Sequence, residues 1–352
     1  MKRGLFHDLA AAGLRMPIGT DLVLHEKPDA KVIREDGQRL GVVVAEAARR
    51  YRTPLAVPLM DLTIEKTTLL QRLGVPAEQI DSYHFDRPLT EDAHAHLCQR
   101  LHEPASGRWK TTVDAVAYIA RHTDLLPVGM SIGPFSLMTK LIADPITAVF
   151  MAGSGVSAAE DPEVATVEQS LDLALRIILR SLTTQLEAGA KAVIICEPAA
   201  NKVYFSPKQL AEGTDIFERY VMAPNRHIKE LLADAGADLI LHDCGELTDD
   251  MVRQFTTLDP VLLSLGSSRI LWEDAALLPD HIVLFGNLPT KKFYSDEVIT
   301  RAAVIEKSRE LLTKMHATGH PFILGSECDV LSVPGCEQII RDKVTAFMEC
   351  PA

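Results

Sequence analysis

Short apolar runs that end in polar residues, separated by long amphipathic stretches, constrain this 352-residue chain more than any other feature. The runs are "PLAVPLMD" (54–61), "DSYHF" (81–85), "LPVGMSIG" (126–133) and "KAVIICE" (191–197). Four more follow: "DLILHDC" (238–244), "PVLLSLG" (260–266), "HIVLFGN" (281–287) and "PFILGSEC" (321–328). Continuous apolar runs of this length read as strands buried on both faces, as in a parallel sheet. About eight of them is the number a (β/α)8 TIM barrel requires. An open doubly wound sheet would use the same alternation, so periodicity alone leaves closure open.

The stretches between the runs read as helices. Residues 166–190 keep apolar residues at three-to-four spacing and end near Gly189. Residues 295–320 start at Ser295, a good N-cap followed by acids, and end near Gly319. A last helix is expected after the eighth run, and residues 94–122 read as an inserted helical segment before the third. The expected organisation is one domain over 1–352. Residues 1–50 would form an N-terminal extension with additional helices, and the barrel would begin at about 51.

A formal net charge of −12 argues against a nucleic-acid binder, which normally shows a basic patch. No run approaches the ~18 apolar residues of a membrane span. The amino terminus starts basic, but His7 and Asp8 interrupt any apolar region, so it reads as part of a mature cytoplasmic protein. Six cysteines are too sparse for a disulfide scaffold. Isolated buried thiols are the ordinary expectation for Cys98, Cys196, Cys336 and Cys350.

Barrels place their chemistry at the C-terminal ends of the strands. Those ends carry Asp61, Ser131, Glu197, His242 with Asp243 and Cys244, Ser264, Asn287, and Glu327 with Cys328. His242 and Cys244 are two apart, so an extended backbone turns both to one side and Asp243 to the other. With Cys328 they would make a soft three-ligand zinc site with one open position, the catalytic type. Because strands five and eight are not neighbours, the ion would sit over the barrel mouth with the eighth loop reaching inward. The alternative is three unrelated loop residues. Asp61 and Glu197 are catalytic candidates, each with a capping role as the competing reading. Tyr204, Ser264 and Asn287 are substrate-binding candidates. "GSGVSAAEDPE" (153–163) lacks a P-loop Lys and reads as a loop, and no G-x-S-x-G is present.

The segments "MDLTIE", "GMSIGPFSLMTKL", "VIICEPAANKVYFSPKQL", "LILHDCGE", "LFGNLPT" and "ILGSECDVL" occur in an order and spacing that resemble the uroporphyrinogen decarboxylase superfamily. The resemblance spans nearly the whole chain, weakest in the first fifty residues, and implies a (β/α)8 barrel. Its decarboxylase branch has an R-Q-A-G-R segment and an L-G-H-G segment. Here those regions read "AAGLRMPIG", with only Arg15, and "LGSEC". Its zinc- and corrinoid-dependent methyltransferase branch, which includes methylcobamide:coenzyme M methyltransferases, has H-x-C followed much later by Cys. His242, Cys244 and Cys328 fit that pattern.

The resemblance thus implies Zn2+ and a corrinoid carried by a separate partner protein, since no D-x-H-x-x-G corrinoid motif occurs in this chain. It implies methyl transfer between that corrinoid and a small thiol or methylated substrate, with Asp61 and Glu197 orienting substrate or assisting proton transfer. Porphyrinogen decarboxylation using Asp61 is the enzymatic alternative. A non-catalytic corrinoid- or porphyrin-binding barrel with redox-sensing cysteines is the other.

Overall fold

A computed structural model describes residues 3–351; Met1 and Lys2, the basic start noted above, lie outside the described residues. Eight parallel strands curl into the sheet of a (β/α)8 barrel. They are β1 (Arg15–Ile18), β2 (Leu55–Ala56), β3 (Leu126–Ile132), β4 (Ala192–Cys196), β5 (Asp238–Asp243), β6 (Leu262–Leu265), β7 (Val283–Leu288) and β8 (Phe322–Asp329). The hydrogen-bonded order is β1-β8-β7-β6-β5-β4-β3-β2. β1 and β2 are the two ends of that ladder, and just past them Thr20 Oγ1 donates to the Val57 carbonyl at 2.7 Å.

Alternation along each strand builds two cores. Met16, Val128, Met130, Ile194, Ile240 and Phe285 point into the barrel and pack on one another. Val193, Ile195, Leu239, Leu241, Leu263 and Leu284 point outward into a larger core shared with the surrounding helices. The helix Pro162–Glu187 shows how the outer layer is set. Asp161 caps it by accepting from the backbone amides of Glu163 and Val164, and Pro162 supplies the first turn. It ends just before Gly189, whose φ of 112° suits a residue without Cβ.

The count of eight strands is met with one exchange. Residues 81–85 contribute only an isolated bridge, Phe85 to Ile142. The sheet's first strand is instead "RMPI" at Arg15–Ile18, inside the stretch expected to be an extension. Four residues containing Arg and Pro carry too little apolar pattern to read as a strand, whereas the Tyr and Phe of 81–85 imitate one. The late helix begins at Arg301, capped by Thr300 and not Ser295. The last helix is Glu337–Met348, with Cys336 at its N-cap position and Cys350 just beyond its end. All six cysteines are free thiols. No helix among the described residues is long and apolar enough to cross a membrane.

Candidate metal centre

His242 is the penultimate residue of β5 and is almost fully buried. Ile240, two residues earlier, faces the barrel interior, so His242 faces it as well. Its Nδ1 lies 2.8 Å from Ser264 Oγ on the neighbouring strand β6. Its Nε2 is buried without any hydrogen-bond partner. A buried ring nitrogen left bare costs free energy, which ligation of a cation would recover. For Nε2 to be the ligand, Nδ1 carries the proton and donates it to Ser264 Oγ, which fixes the tautomer and the ring plane.

Cys244 follows β5 by one residue and Cys328 lies in β8, yet their sulfurs are 3.8 Å apart. A tetrahedral ion with bonds of about 2.3 Å holds two sulfurs about 3.8 Å apart. One donor atom from each of His242, Cys244 and Cys328 falls within 4.8 Å of the others. Distance between strands five and eight is overcome in two ways. β8 runs on to Asp329 and carries Cys328 over the mouth. The end of β5 passes so close to the end of β6 that a Cβ at Gly266 would lie 2.6 Å from the Cys244 carbonyl oxygen. Asp243 turns away: its Oδ1 accepts from the Gly245 amide at 2.7 Å. These donors suit a borderline-soft divalent ion such as zinc, bound through three protein ligands.

The two sulfurs stand within hydrogen-bonding reach of each other. The Cys244 thiol is pushed down by its contact with the Cys328 sulfur, with the nearby Lys291 ammonium adding to it. Cys328, in contact with the Cys244 sulfur and half-buried, is pushed up. Lys291 Nζ stands 3.4 Å from Cys244 Sγ. Sequence reading passed over Lys291. It lies three residues beyond the end of β7, where the rule of strand ends would have admitted it. Glu327 ties the neighbouring loops, accepting from the amides of Ser267 at 3.1 Å and Lys291 at 3.4 Å. Beneath His242 and Ser264 a cavity of ≈ 30 Å³ is lined by Met16, Ile194, Ile240 and Phe285, among other apolar side chains.

The remaining candidates have other partners. Glu197 is fully buried. Its oxygens accept from the amides of Phe135 (3.2 Å) and Ser136 (2.9 Å) at the start of helix Pro134–Thr139, and from Asn225 Nδ2 (3.0 Å). Burial pushes its carboxyl up, against those hydrogen bonds. A Cβ at Gly133 would lie 2.0 Å from the Glu197 carboxyl carbon, so only glycine leaves room for this anchor. Asp61 is ion-paired with Arg108 and, at 3.5 Å, with Arg34, and its Oδ1 accepts from Thr63. The residue at the N-cap of the following helix is Thr63, not Asp61. Tyr204 packs edge-on against Phe135. Asn287 Nδ2 donates to the carbonyls of Gly266 and Arg269, fixing the loop after β6. Ser264 serves His242. The structure therefore brings together His242, Cys244, Cys328 and Ser264, and gives Asp61, Glu197, Tyr204 and Asn287 partners elsewhere.

Comparison with known proteins bears on what this arrangement is. The family model for uroporphyrinogen decarboxylase (URO-D) matches residues 25–349. A uroporphyrinogen decarboxylase of Erythrobacter litoralis (strain HTCC2594) is 23% identical over 307 residues, 84% of this chain and 80% of that one. A solved methyltransferase from Methanosarcina mazei superposes with a TM-score of 0.64 at 16% identity, covering 95% of this chain and 93% of the other.

Proposed function

The chain belongs to the uroporphyrinogen decarboxylase family, and from that premise we propose that it is a zinc-dependent methyltransferase. It would move a methyl group between a corrinoid held by a separate protein and a small thiol or a methylated substrate such as a methyl ether or methylamine. The observation that carries this reading is the convergence of the bare His242 Nε2 with the Cys244 and Cys328 sulfurs at tetrahedral spacing. That the M. mazei protein of like fold is a methyltransferase is in keeping with it.

His242, Cys244 and Cys328 would hold the ion, which when bound would supply Lewis acidity at one open position facing the mouth. Ser264 holds the His242 ring in the ligating tautomer. Two ligand thiolates neutralise a divalent charge, so a substrate thiolate arriving at the mouth would bring an unbalanced negative charge. Lys291 is the cation placed to offset it. The apolar lining of the cavity beneath His242 lowers the polarity on the underside of the centre, which strengthens the His242–Ser264 contact.

Decarboxylation of a porphyrinogen is the second reading, favoured by the name of the E. litoralis relative. Two placements weigh against it. Asp61 is tied to two arginines. Arg15, the one arginine in the segment where the decarboxylase branch has its arginine pair, opens β1 at the end away from the mouth.

Protein purified without added zinc should lose about one bound zinc per chain on Cys244→Ala/Cys328→Ala. Methyl transfer between methylcobalamin and a simple thiol should vanish with it. Protein that decarboxylates uroporphyrinogen with this centre empty would overturn the proposal.

A further inference from the structure

A second group of metal-ligating side chains lies on the outer wall of the barrel, away from the mouth. His94 and Cys98 are four apart on the helix Glu91–Arg100, so they share one face of it. Asp172, on the helix Pro162–Glu187, faces them across the gap. His94 Nε2 is 3.2 Å from Asp172 Oδ2 and 3.9 Å from Cys98 Sγ. One donor atom from each residue falls within 4.8 Å of the others. Nitrogen, oxygen and sulfur ligands at about 2.0–2.3 Å around a tetrahedral ion stand about 3.3–3.6 Å apart. The His94–Asp172 spacing falls just under that range and the His94–Cys98 spacing just over it; Cys98 Sγ lies 3.8 Å from Nδ1 and 3.9 Å from Nε2, so a turn of the Cys98 side chain is what would complete the site.

We propose that His94, Cys98 and Asp172 form a second zinc site that bridges the inserted helix and the barrel wall. Three features of the surroundings support it. The helix Glu91–Arg100 buries only Leu97 completely, so apolar packing alone holds it weakly. Gln169 grips the preceding segment from the helix that carries Asp172. Its Oε1 accepts from the Leu89 amide at 2.6 Å and its Nε2 donates to the Leu89 carbonyl at 3.1 Å, which sets the two helices in register. Arg176 Nε holds Asp172 Oδ2 at 2.7 Å and orients the carboxylate, in the way outer partners orient ligating carboxylates. One thiolate and one carboxylate balance a divalent charge, and the fourth position is open to water. The donor set of imidazole, thiolate and carboxylate selects a borderline divalent ion such as zinc over magnesium or calcium.

This site is independent of the one at the mouth, so each can fail without the other. The test is zinc content by elemental analysis after dialysis, on the full chain in three forms: wild type, Cys244→Ala/Cys328→Ala, and His94→Asn/Cys98→Ser. The two substituted positions of the outer site are partly exposed, so that variant should fold. The proposal expects the mouth variant to keep about one zinc per chain and the outer variant to lose about one relative to wild type. Cobalt(II) added to the mouth variant should give a thiolate-to-cobalt absorption band that Cys98→Ser alone removes. Zinc should also slow hydrogen exchange in residues 91–100 of the mouth variant. A mouth variant that holds no zinc and shows no such cobalt band would overturn it, and His94 with Asp172 would then be a plain ion pair. An outer variant with the same zinc content as wild type would overturn it equally.

Discussion

The ends of β5 to β8 and the ends of β2 to β4 carry similar residue types at the barrel mouth but satisfy them differently. On the β2 to β4 side the two strand-end carboxylates are engaged. Glu197 anchors a helix start, and Asp61 is held by two arginines and Thr63. On the β5 to β8 side His242 Nε2 is bare and two sulfurs stand at ion-holding distance. Position at a strand end marks both sides as candidates. Hydrogen-bond completeness, together with the convergence of several donor atoms, separates a scaffold carboxylate from a donor awaiting a ligand.

The comparison breaks most readily at Cys328. Cys328→Ala removes one of the three proposed ligands and, with it, a Lewis acid worth several kcal/mol, so methyl transfer should fall on the order of 10³-fold or more. The far-ultraviolet circular dichroism should be unchanged. Activity within tenfold of wild type would end the assignment of the β5 to β8 side as the reactive one.

Glu197 should respond in the opposite sense. Glu197→Ala strips three buried donors of their acceptor and should cost about 4 kcal/mol of stability in urea titration. Glu197→Gln, which keeps an acceptor, should retain most of the activity per folded chain. If Glu197→Gln folds normally but loses turnover, the carboxylate is catalytic and the contrast between the two sides fails.

Glu65 sharpens the same contrast through pH. It lies under β3, with Oε1 accepting from Ser131 and Ser181 while Oε2 is buried without a hydrogen-bond partner. Burial pushes its carboxyl from an ordinary 4.5 up to about 7. The folded chain therefore holds a proton in that window which the unfolded chain has released. The associated stability is complete below about 4.5 and is lost as pH rises through 7, with a ceiling of about 3 kcal/mol. Glu65→Gln should flatten this slope. Equal slopes for wild type and variant between pH 5 and 7.5 would show that Glu65 is not the group responsible.

A smaller effect is expected at Ser264. Ser264→Ala leaves the His242 ring free to turn and should weaken zinc binding about 10- to 100-fold, the usual cost of losing an outer partner. Competition against a chelator would measure it. Unchanged affinity would leave Ser264 to the substrate, as its strand-end position first suggested.

Much of this contrast was legible in the sequence, and its limits have physical causes. Strands β3 to β8 were readable because burial on both faces makes their runs continuously apolar. β1 was not, because a four-residue strand needs little pattern of its own when β8 supplies its partners. The alternation at His242, Asp243 and Cys244 fixed which side chains could meet, since period two is a property of the backbone. Cys328 came from its residue type, its strand end and the family resemblance. The fate of Glu197 was not readable, because the amides it accepts from lie about sixty positions away and nothing in "CEP" points to them.

Lys291 gives the finest test, because it bears on the reactive side without holding anything together there. At about 4 Å and an effective dielectric near 20, a unit-charge pair is worth about 4 kcal/mol. Half-exposure and salt cut that to about 1 kcal/mol. Lys291→Met should therefore leave zinc content intact and lower kcat/KM with a thiol about fivefold. The loss should be greater at low ionic strength than at high, since only the wild type has a charge to screen. The pH above which the thiol reacts should rise by less than one unit, because removing the cation makes a thiolate at the mouth harder to form. A loss of zinc would recast Lys291 as part of the ligand scaffold. A rate independent of salt in both proteins would remove it from the chemistry, leaving the β5 to β8 side defined by its three proposed ligands and Ser264 alone.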